Sequence, residues 1–191
     1  MNRIQSIIIG SILGDGCLEK TKTENRNSRL TLGHSEKQKE YLEWKVNILK
    51  EFGLSTGSIT KCVAKSNRYK SGQCISYHTK SRKHSVFTKY RKLFYLNGKK
   101  TLDFSNLHIT PMALAIWYMD DGQKCSASYQ INTQCFNRDT LVELAKYLEK
   151  AYGLEFTIDK TNVMYLRKAS ISKFESLIKP YIIDCMKYKL R

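Results

Sequence analysis

Two apolar stretches of this chain end in the same way, and that pairing constrains the fold more than any other feature. The first reads Ile8-Ile9-Gly10-Ser11-Ile12-Leu13-Gly14-Asp15-Gly16, the second Leu114-Ala115-Ile116-Trp117-Tyr118-Met119-Asp120-Asp121-Gly122. Each has the length and composition of a buried helix, and each finishes on a carboxylate with glycine directly after it. A single Asp-Gly behind a helix is an ordinary stop with a solvated acid. Two of them, each opening a similar succession of elements, point to a duplicated plan.

The succession can be followed along the chain. Segment 4–14 is the first helix, and residues 17–33 read as a hairpin with a polar tip from Lys20 to Asn27. Ser35-x-x-Gln38 has the form of a capping box and opens a helix through about Phe52, which Gly53 stops. Residues 57–66 and 73–80 form a second strand pair around Tyr69-Lys70-Ser71-Gly72. A helix from about Arg82 to Tyr95 then closes at Asn97-Gly98. Thr110-Pro111 starts the order again as an N-cap with proline at the first helical position, ahead of a helix from Met112 to Asp121. A hairpin over 124–135 follows, then a helix capped by Asn137 and running to Tyr152, with Gly153 as its stop. Strands at 155–159 and 163–167 and a last helix behind the capping box Ser172-x-x-Glu175 complete the half. The expected fold is α+β: two pseudo-symmetric αββαββα halves, residues 1–96 and 110–191, each with a curved antiparallel sheet. Residues 97–109 link them, and the two motif helices pack them together.

An acid at a helix C-terminus is electrostatically misplaced, because that end already carries partial negative charge. If two such ends meet, the carboxylates also repel each other. A divalent cation reverses both penalties, and magnesium favours a few protein oxygens together with a phosphate. Paired sites of this kind suit phosphodiester hydrolysis. Gly10 and Gly14 lie on one helix face at a spacing that lets two backbones approach. The second helix has Ile116 and Asp120 where the first has these glycines, so the interface is expected to be asymmetric.

The 191 residues carry 33 Lys and Arg against 17 Asp and Glu, a formal charge of +16, spread along the whole chain rather than gathered in a tail. A folded basic surface with a polyanionic partner accounts for that excess. The six cysteines form no C-x-x-C pair and have no histidine at zinc-ligand spacing, so reduced thiols are expected rather than a zinc site or a disulfide framework. The N-terminal run Ile4 to Leu13 has the length of a signal-peptide core but leads into Gly14-Asp15-Gly16 without a cleavage pattern. It is also too short to span a bilayer, and it reads as a buried helix of a soluble, intracellular protein.

Both motifs resemble the LAGLIDADG sequence of homing endonucleases. The Trp-x-Met-Asp-Asp-Gly form behind Thr-Pro-Met-x-Leu-Ala is similar to the single-chain, two-motif branch encoded within introns. The resemblance covers essentially the whole chain and is strongest from Gly98 onward. It implies that Asp15 and Asp121 bind the metal, magnesium with manganese able to substitute. Gly14 and Asp120 stand beside them as further candidates at the metal, Asp120 secondary because Gly14 is its counterpart. It also implies a lysine beside the active centre at the end of each half, and Lys100 and Lys189 match those places. Such a lysine can hold the scissile phosphate or stabilise charge as the bond breaks.

The strands offer a reading surface. Gln130, Asn132 and Gln134 alternate with Tyr129, Ile131, Thr133 and Cys135. Asn and Gln side chains can pair with adenine edges. Arg29 and Thr31 face outward between Leu30 and Leu32, Arg29 suited to guanine. Lys20, Lys22 and Arg26 at the hairpin tip can grip phosphate. Lys61, Lys65, Arg68, Lys70 and Lys80 give the second hairpin the same character, and Lys124, Lys160 and Arg167 are the counterparts in the second half. Two such sheets about a pseudo-dyad would cover about 20 base pairs of duplex DNA, and unequal halves allow an asymmetric site. The expected activity is that of a monomeric, metal-dependent, site-specific endonuclease cutting both strands across the minor groove and promoting intron or intein mobility. The alternatives are a maturase that binds intron RNA, or a DNA-binding regulator on an inactive nuclease scaffold. A pure binder has no use for two carboxylates facing phosphate. The expected setting is an organelle, a bacterium or a phage.

Overall fold

The computed structural model describes residues 3–19, 26–65, 67, 72–104 and 106–191. The first half comprises α1 (Arg3–Leu13), β1 (Cys17–Leu18), β2 (Leu30–Ser35), α2 (Lys39–Glu51), β3 (Thr60–Lys65), β4 (Gln73–Lys80) and α3 (Ser85–Phe94). A small hairpin, β5 (Tyr95–Leu96) and β6 (Lys99–Lys100), leads out of it. The second half comprises α4 (Pro111–Asp121), β7 (Gly122–Lys124), β8 (Tyr129–Asn132), α5 (Arg138–Tyr152), β9 (Phe156–Ile158), β10 (Val163–Leu166) and α6 (Ile171–Ile178). Both large sheets are antiparallel with the same connectivity, β1-β2-β4-β3 and β7-β8-β10-β9. The fold is thus the α+β arrangement that the sequence pattern implies.

The halves meet along α1 and α4, and glycine makes the approach possible. A β-carbon added to Gly10 would lie 2.6 Å from the Ala113 carbonyl oxygen and 2.7 Å from Ile116 Cβ; one added to Gly14 would lie 2.4 Å from Asp120 Cβ. Both helices are buried nearly throughout, α1 from Ser6 to Leu13 and α4 from Ala113 to Asp120. One apolar cluster encloses them, reaching from Ile7 and Leu42 in the first half to Phe174 and Met186 in the second. Among the described residues, no helix is long and apolar enough to cross a membrane.

Several local signals act as their chemistry predicts. Thr110 Oγ1 accepts from the Ala113 amide at 3.0 Å, with Pro111 in the first turn. Asn137 Oδ1 accepts from the Thr140 amide at 2.8 Å. Gly53 and Gly153 close α2 and α5 at positive φ, 74° and 61°.

Other expectations need correction. Ser35 and Gln38 do not form a reciprocal cap: a short 3-10 turn, Glu36–Gln38, precedes α2, and the Ser35 hydroxyl bonds the Gln38 side chain instead of an amide. Ser172 lies inside α6, and Glu175 accepts from the Tyr129 hydroxyl rather than capping the helix. The third helix starts at Ser85, not near Arg82, because His84 Nδ1 accepts from the Val86 amide and caps it. Asn97-Gly98 does not end that helix. Both residues have positive φ, 49° and 81°, and they form the tip of the β5–β6 hairpin, the conformation a two-residue turn prefers. Strand β8 ends at Asn132, because Thr133 turns the chain with its carbonyl bonded to the Phe136 amide at 3.0 Å. Gln134 and Cys135 therefore lie in an exposed turn. The tip expected around Tyr69 to Ser71 lies outside the described residues.

Candidate active site

The packing of α1 on α4 brings Asp15 and Asp121 to one end of the helix pair. Asp15 follows α1 in a turn held by the Gly16 amide bonded to the Ser11 carbonyl at 2.6 Å, and Asp121 is the last residue of α4. The Asp15 carboxylate is 45% exposed. Burial, then the Asp120 charge, raises its proton affinity, and Lys45, Lys189 and Lys100 oppose the rise. Asp121 is pushed up to about 7, by burial first and then by the charges of Asp15 and Asp120. Two acids that both resist ionisation, at two negative helix ends, form a donor set that suits a hard divalent cation.

Two lysines cap the helix ends in equivalent ways. Lys100, on β6, donates to the Gly14 carbonyl at 2.9 Å. Lys189 donates to the Asp120 carbonyl at 3.1 Å and also to that of Met119. Gly14 and Asp120 immediately precede Asp15 and Asp121, so the ammonium groups sit at matching points of the two halves. Each satisfies a free terminal carbonyl and opposes the helix dipole. Lys189 is almost fully buried, and burial lowers its proton affinity. The Asn97-Gly98 hairpin is what carries Lys100 back to α1.

Asp120 is placed differently from the acids on either side of the helix contact. Its side chain is 0% exposed and receives Lys45 Nζ at 2.6 and 2.8 Å, and Lys45 is equally buried. The ammonium also lies 3.3 Å from His34 Nε2 and 4.5 Å from the centre of the Tyr41 ring. Asp15, His34 and Asp120 offer ligand atoms within 4.8 Å of one another, a spacing that a metal could bridge. Lys45 already places a positive charge on Asp120 there. Sequence reasoning singled out neither Lys45 nor His34. A signal existed for Lys45, which interrupts the apolar stripe Tyr41, Leu42, Val46, Leu49 of α2, where an unpaired lysine would not be tolerated. His34 likewise continues the inward alternation of Leu30 and Leu32.

The basic residues of the sheets occupy outward positions. On the first sheet Arg29, Thr31 and Lys80 converge on Glu19, at 2.6, 3.2 and 2.8 Å. Burial works to raise the Glu19 carboxyl, but the Lys80 and Arg29 bonds outweigh it and hold it at about 2. Glu19 is a third residue that the sequence did not single out. Arg26, Lys61 and Lys65 are exposed. On the second sheet Gln130 and Asn132 are half-buried, with Gln130 Oε1 accepting from the Cys125 thiol at 3.0 Å. Lys124 and Lys160 are exposed, and Arg167 lies 3.8 Å from Glu155. Lys20, Lys22, Arg68 and Lys70 fall outside the described residues.

A matched pair of αββαββα halves, joined by two helices that end in acids, is the architecture of a LAGLIDADG protein. The model of the LAGLIDADG DNA endonuclease family matches residues 5–174, and the chain belongs to that family. Its structure is similar to that of the homing endonuclease I-WcaI bound to its DNA recognition sequence, with a TM-score of 0.86 and 28% identity, over 100% of this chain and 87% of that one. In sequence it is 31% identical to the cytochrome b mRNA maturase bI2 of Debaryomyces hansenii, over 96% of this chain and 72% of the relative. It is 30% identical to Protein RecA of Mycobacterium gastri, over 96% of this chain but 46% of the relative, so the chain spans about half the length of that protein.

Proposed function

We propose that the protein is a site-specific endonuclease that hydrolyses both strands of duplex DNA at one long, asymmetric site and so promotes the mobility of an intron or intein. The observation that carries this reading is the pair of acids at the joined ends of α1 and α4, each with a lysine on the carbonyl before it. Asp15 and Asp121 would hold magnesium, with manganese as a substitute; the bound ion would polarise the scissile phosphate and lower the pKa of an attacking water. Lys100 and Lys189, fixed to main-chain carbonyls, would hold positive charge beside the phosphates as the bonds break. Their fixed positions mean that little reorganisation is needed during reaction.

The two sheets would lie along the duplex on either side of this centre. Arg29, Lys80 and Thr31, organised by Glu19, would read and grip one half-site; Gln130, Asn132 and Gln134 would read the other, with Lys61, Lys65, Lys124, Lys160 and Arg167 on phosphates. We read residues 1–96 and 110–191 as the two half-site units of a monomer, with 97–109 between them. The similarity to I-WcaI, whose structure is a complex with its DNA recognition sequence, supports the choice of DNA as substrate. A second reading, assistance to intron splicing through RNA binding, is favoured by the likeness to a cytochrome b mRNA maturase.

The test is magnesium-dependent cleavage of DNA spanning the uninterrupted insertion site of the host gene. Asp15→Asn and Asp121→Asn should each abolish cutting and retain binding. A variant that cuts at the normal rate would remove that acid from the centre. Tight binding of the intron RNA with no DNA cleavage would replace the nuclease reading by the maturase one.

A further inference from the structure

The two acids are not supported alike. The Asp15 amide donates to Asp120 Oδ2 at 3.3 Å, and Lys45 holds that same carboxylate. Lys45 donates to His34 Nε2, which leaves the ring proton on Nδ1. Among the described residues Nδ1 has no hydrogen-bond partner at normal distance; it is buried, lies 3.6 Å from Asp15 Oδ2, and the Gln38 side chain is a further polar neighbour of the ring. Asp15 is thus approached on its main chain by Asp120 and on its side chain by His34, with one buried ammonium fixing both.

Among the described residues, Asp121 has no such support. The sheet registers make Cys17 paired with Thr31 equivalent to Gln123 paired with Gln130, which aligns His34 with Thr133. The stop glycines Gly53 and Gly153 align Lys45 with Ala145, and the acids themselves align Asp120 with Gly14. Thr133 turns away from the centre to bond the Asn162 carbonyl. Each member of the polar trio thus has as its pseudo-symmetric counterpart a residue that cannot play its part: Thr133 for His34 and Ala145 for Lys45 in the second half, and Gly14 for Asp120 in the first.

We propose that Lys45, Asp120 and His34 form an internal brace that positions Asp15 alone, that the cation balancing Asp120 is the Lys45 ammonium rather than a metal, and that this one-sided support sets unequal rates of cutting for the two DNA strands. All three are positioning residues. The inference rests on the nuclease reading above. A buried ion pair is a costly way to gain stability alone, since apolar residues of the same volume do as well, whereas it fixes geometry closely. A misplacement of about 1 Å in a catalytic group can slow a reaction about a hundredfold.

The experiment measures nicking of each strand separately, in single turnover with saturating enzyme and duplex labelled on either strand. Lys45→Met combined with Asp120→Asn removes the pair without leaving a buried charge unmatched. It should slow one strand by about tenfold to a hundredfold, leave the other near its wild-type rate, and leave DNA affinity unchanged. His34→Leu should slow the same strand, and His34→Gln, which restores an N–H donor, should recover most of the rate. Equal slowing of both strands, or no slowing, overturns the proposal. So does a large rise in the magnesium concentration needed by Asp120→Asn, because that would make Asp120 a metal ligand. If the double variant fails to fold, the His34 pair decides. If the wild type cuts neither strand, the nuclease reading fails and the brace is judged separately by hydrogen exchange in the metal-free protein. There the Asp15 amide should be protected, and exchange at the rate of an open amide overturns the brace.

Discussion

Asp121 holds a carboxyl that ionises in the unfolded chain near 3.8 but in the folded protein only at about 7. Between these values the folded state keeps a proton that the unfolded state has released. The contribution to stability is therefore fully present below the lower value, is lost as pH rises through the upper one, and levels off above it. Asp121→Asn removes this dependence. The variant should gain in melting temperature relative to wild type as pH is raised from 4 to 7, with a constant gap above. The comparison is needed because His34, held down to about 4 by burial and by Lys45, contributes an opposite slope to both proteins. Saturating magnesium should narrow the gap at pH 8, since the ion stabilises the protein that binds it. Parallel melting curves for the two proteins would show that the Asp121 carboxyl is not strained in the way its surroundings require.

At the scale of elements, the contact of α1 with α4 is the junction on which the site depends, and two glycines set its closeness. Gly10→Ala would push a methyl group against the Ala113 carbonyl and Ile116 Cβ, at 2.6 and 2.7 Å. Both belong to a buried helix that cannot yield without moving the acids. The expected cost is about 1–3 kcal/mol, as for overpacking in other cores, measured by urea denaturation. Gly57→Ala is the control. Its added carbon would meet only the Lys80 carbonyl at 3.7 Å, so stability should change by less than about 0.5 kcal/mol. Equal effects at the two sites would mean that the helices do not approach as closely as described.

For the whole molecule, the +16 charge becomes a statement about binding. Each phosphate contact releases counterions, so affinity for duplex DNA should fall steeply with salt. Lys61→Ala or Lys124→Ala should reduce the slope of log K against log salt by about 1 and weaken all sequences alike. Arg29→Ala should instead relax preference at one base pair, at a cost of about 1–3 kcal/mol against the preferred site. Binding assays over a salt series and a set of single-base variants separate the two effects. A uniform loss for Arg29→Ala would make it a phosphate contact. A wild-type affinity that ignores salt would remove DNA as the partner.

The sequence by itself determined the order of elements, the duplicated plan and the two helix-end acids, because these rest on local patterns; Lys100 and Lys189 came only from the resemblance to a family. Apolar periodicity, Thr110 and Asn137 caps, and stop glycines act over a few residues and read the same in any fold. It misplaced features that depend on competition between local bonds. The Ser35 hydroxyl bonds a side chain rather than an amide, Ser172 sits within a helix, and Asn97-Gly98 makes a hairpin rather than a helix end. The sequence ranked Asp120 behind Asp121, but only the tertiary structure showed what each acid meets. Asp120 and Asp121 are adjacent in sequence, yet one meets Lys45 and the other faces Asp15, because an α-helix turns consecutive side chains toward different neighbours. The brace on Asp15 was illegible for the same reason. Its three residues come from β2, α2 and α4, and nothing but the packing of those elements brings them together.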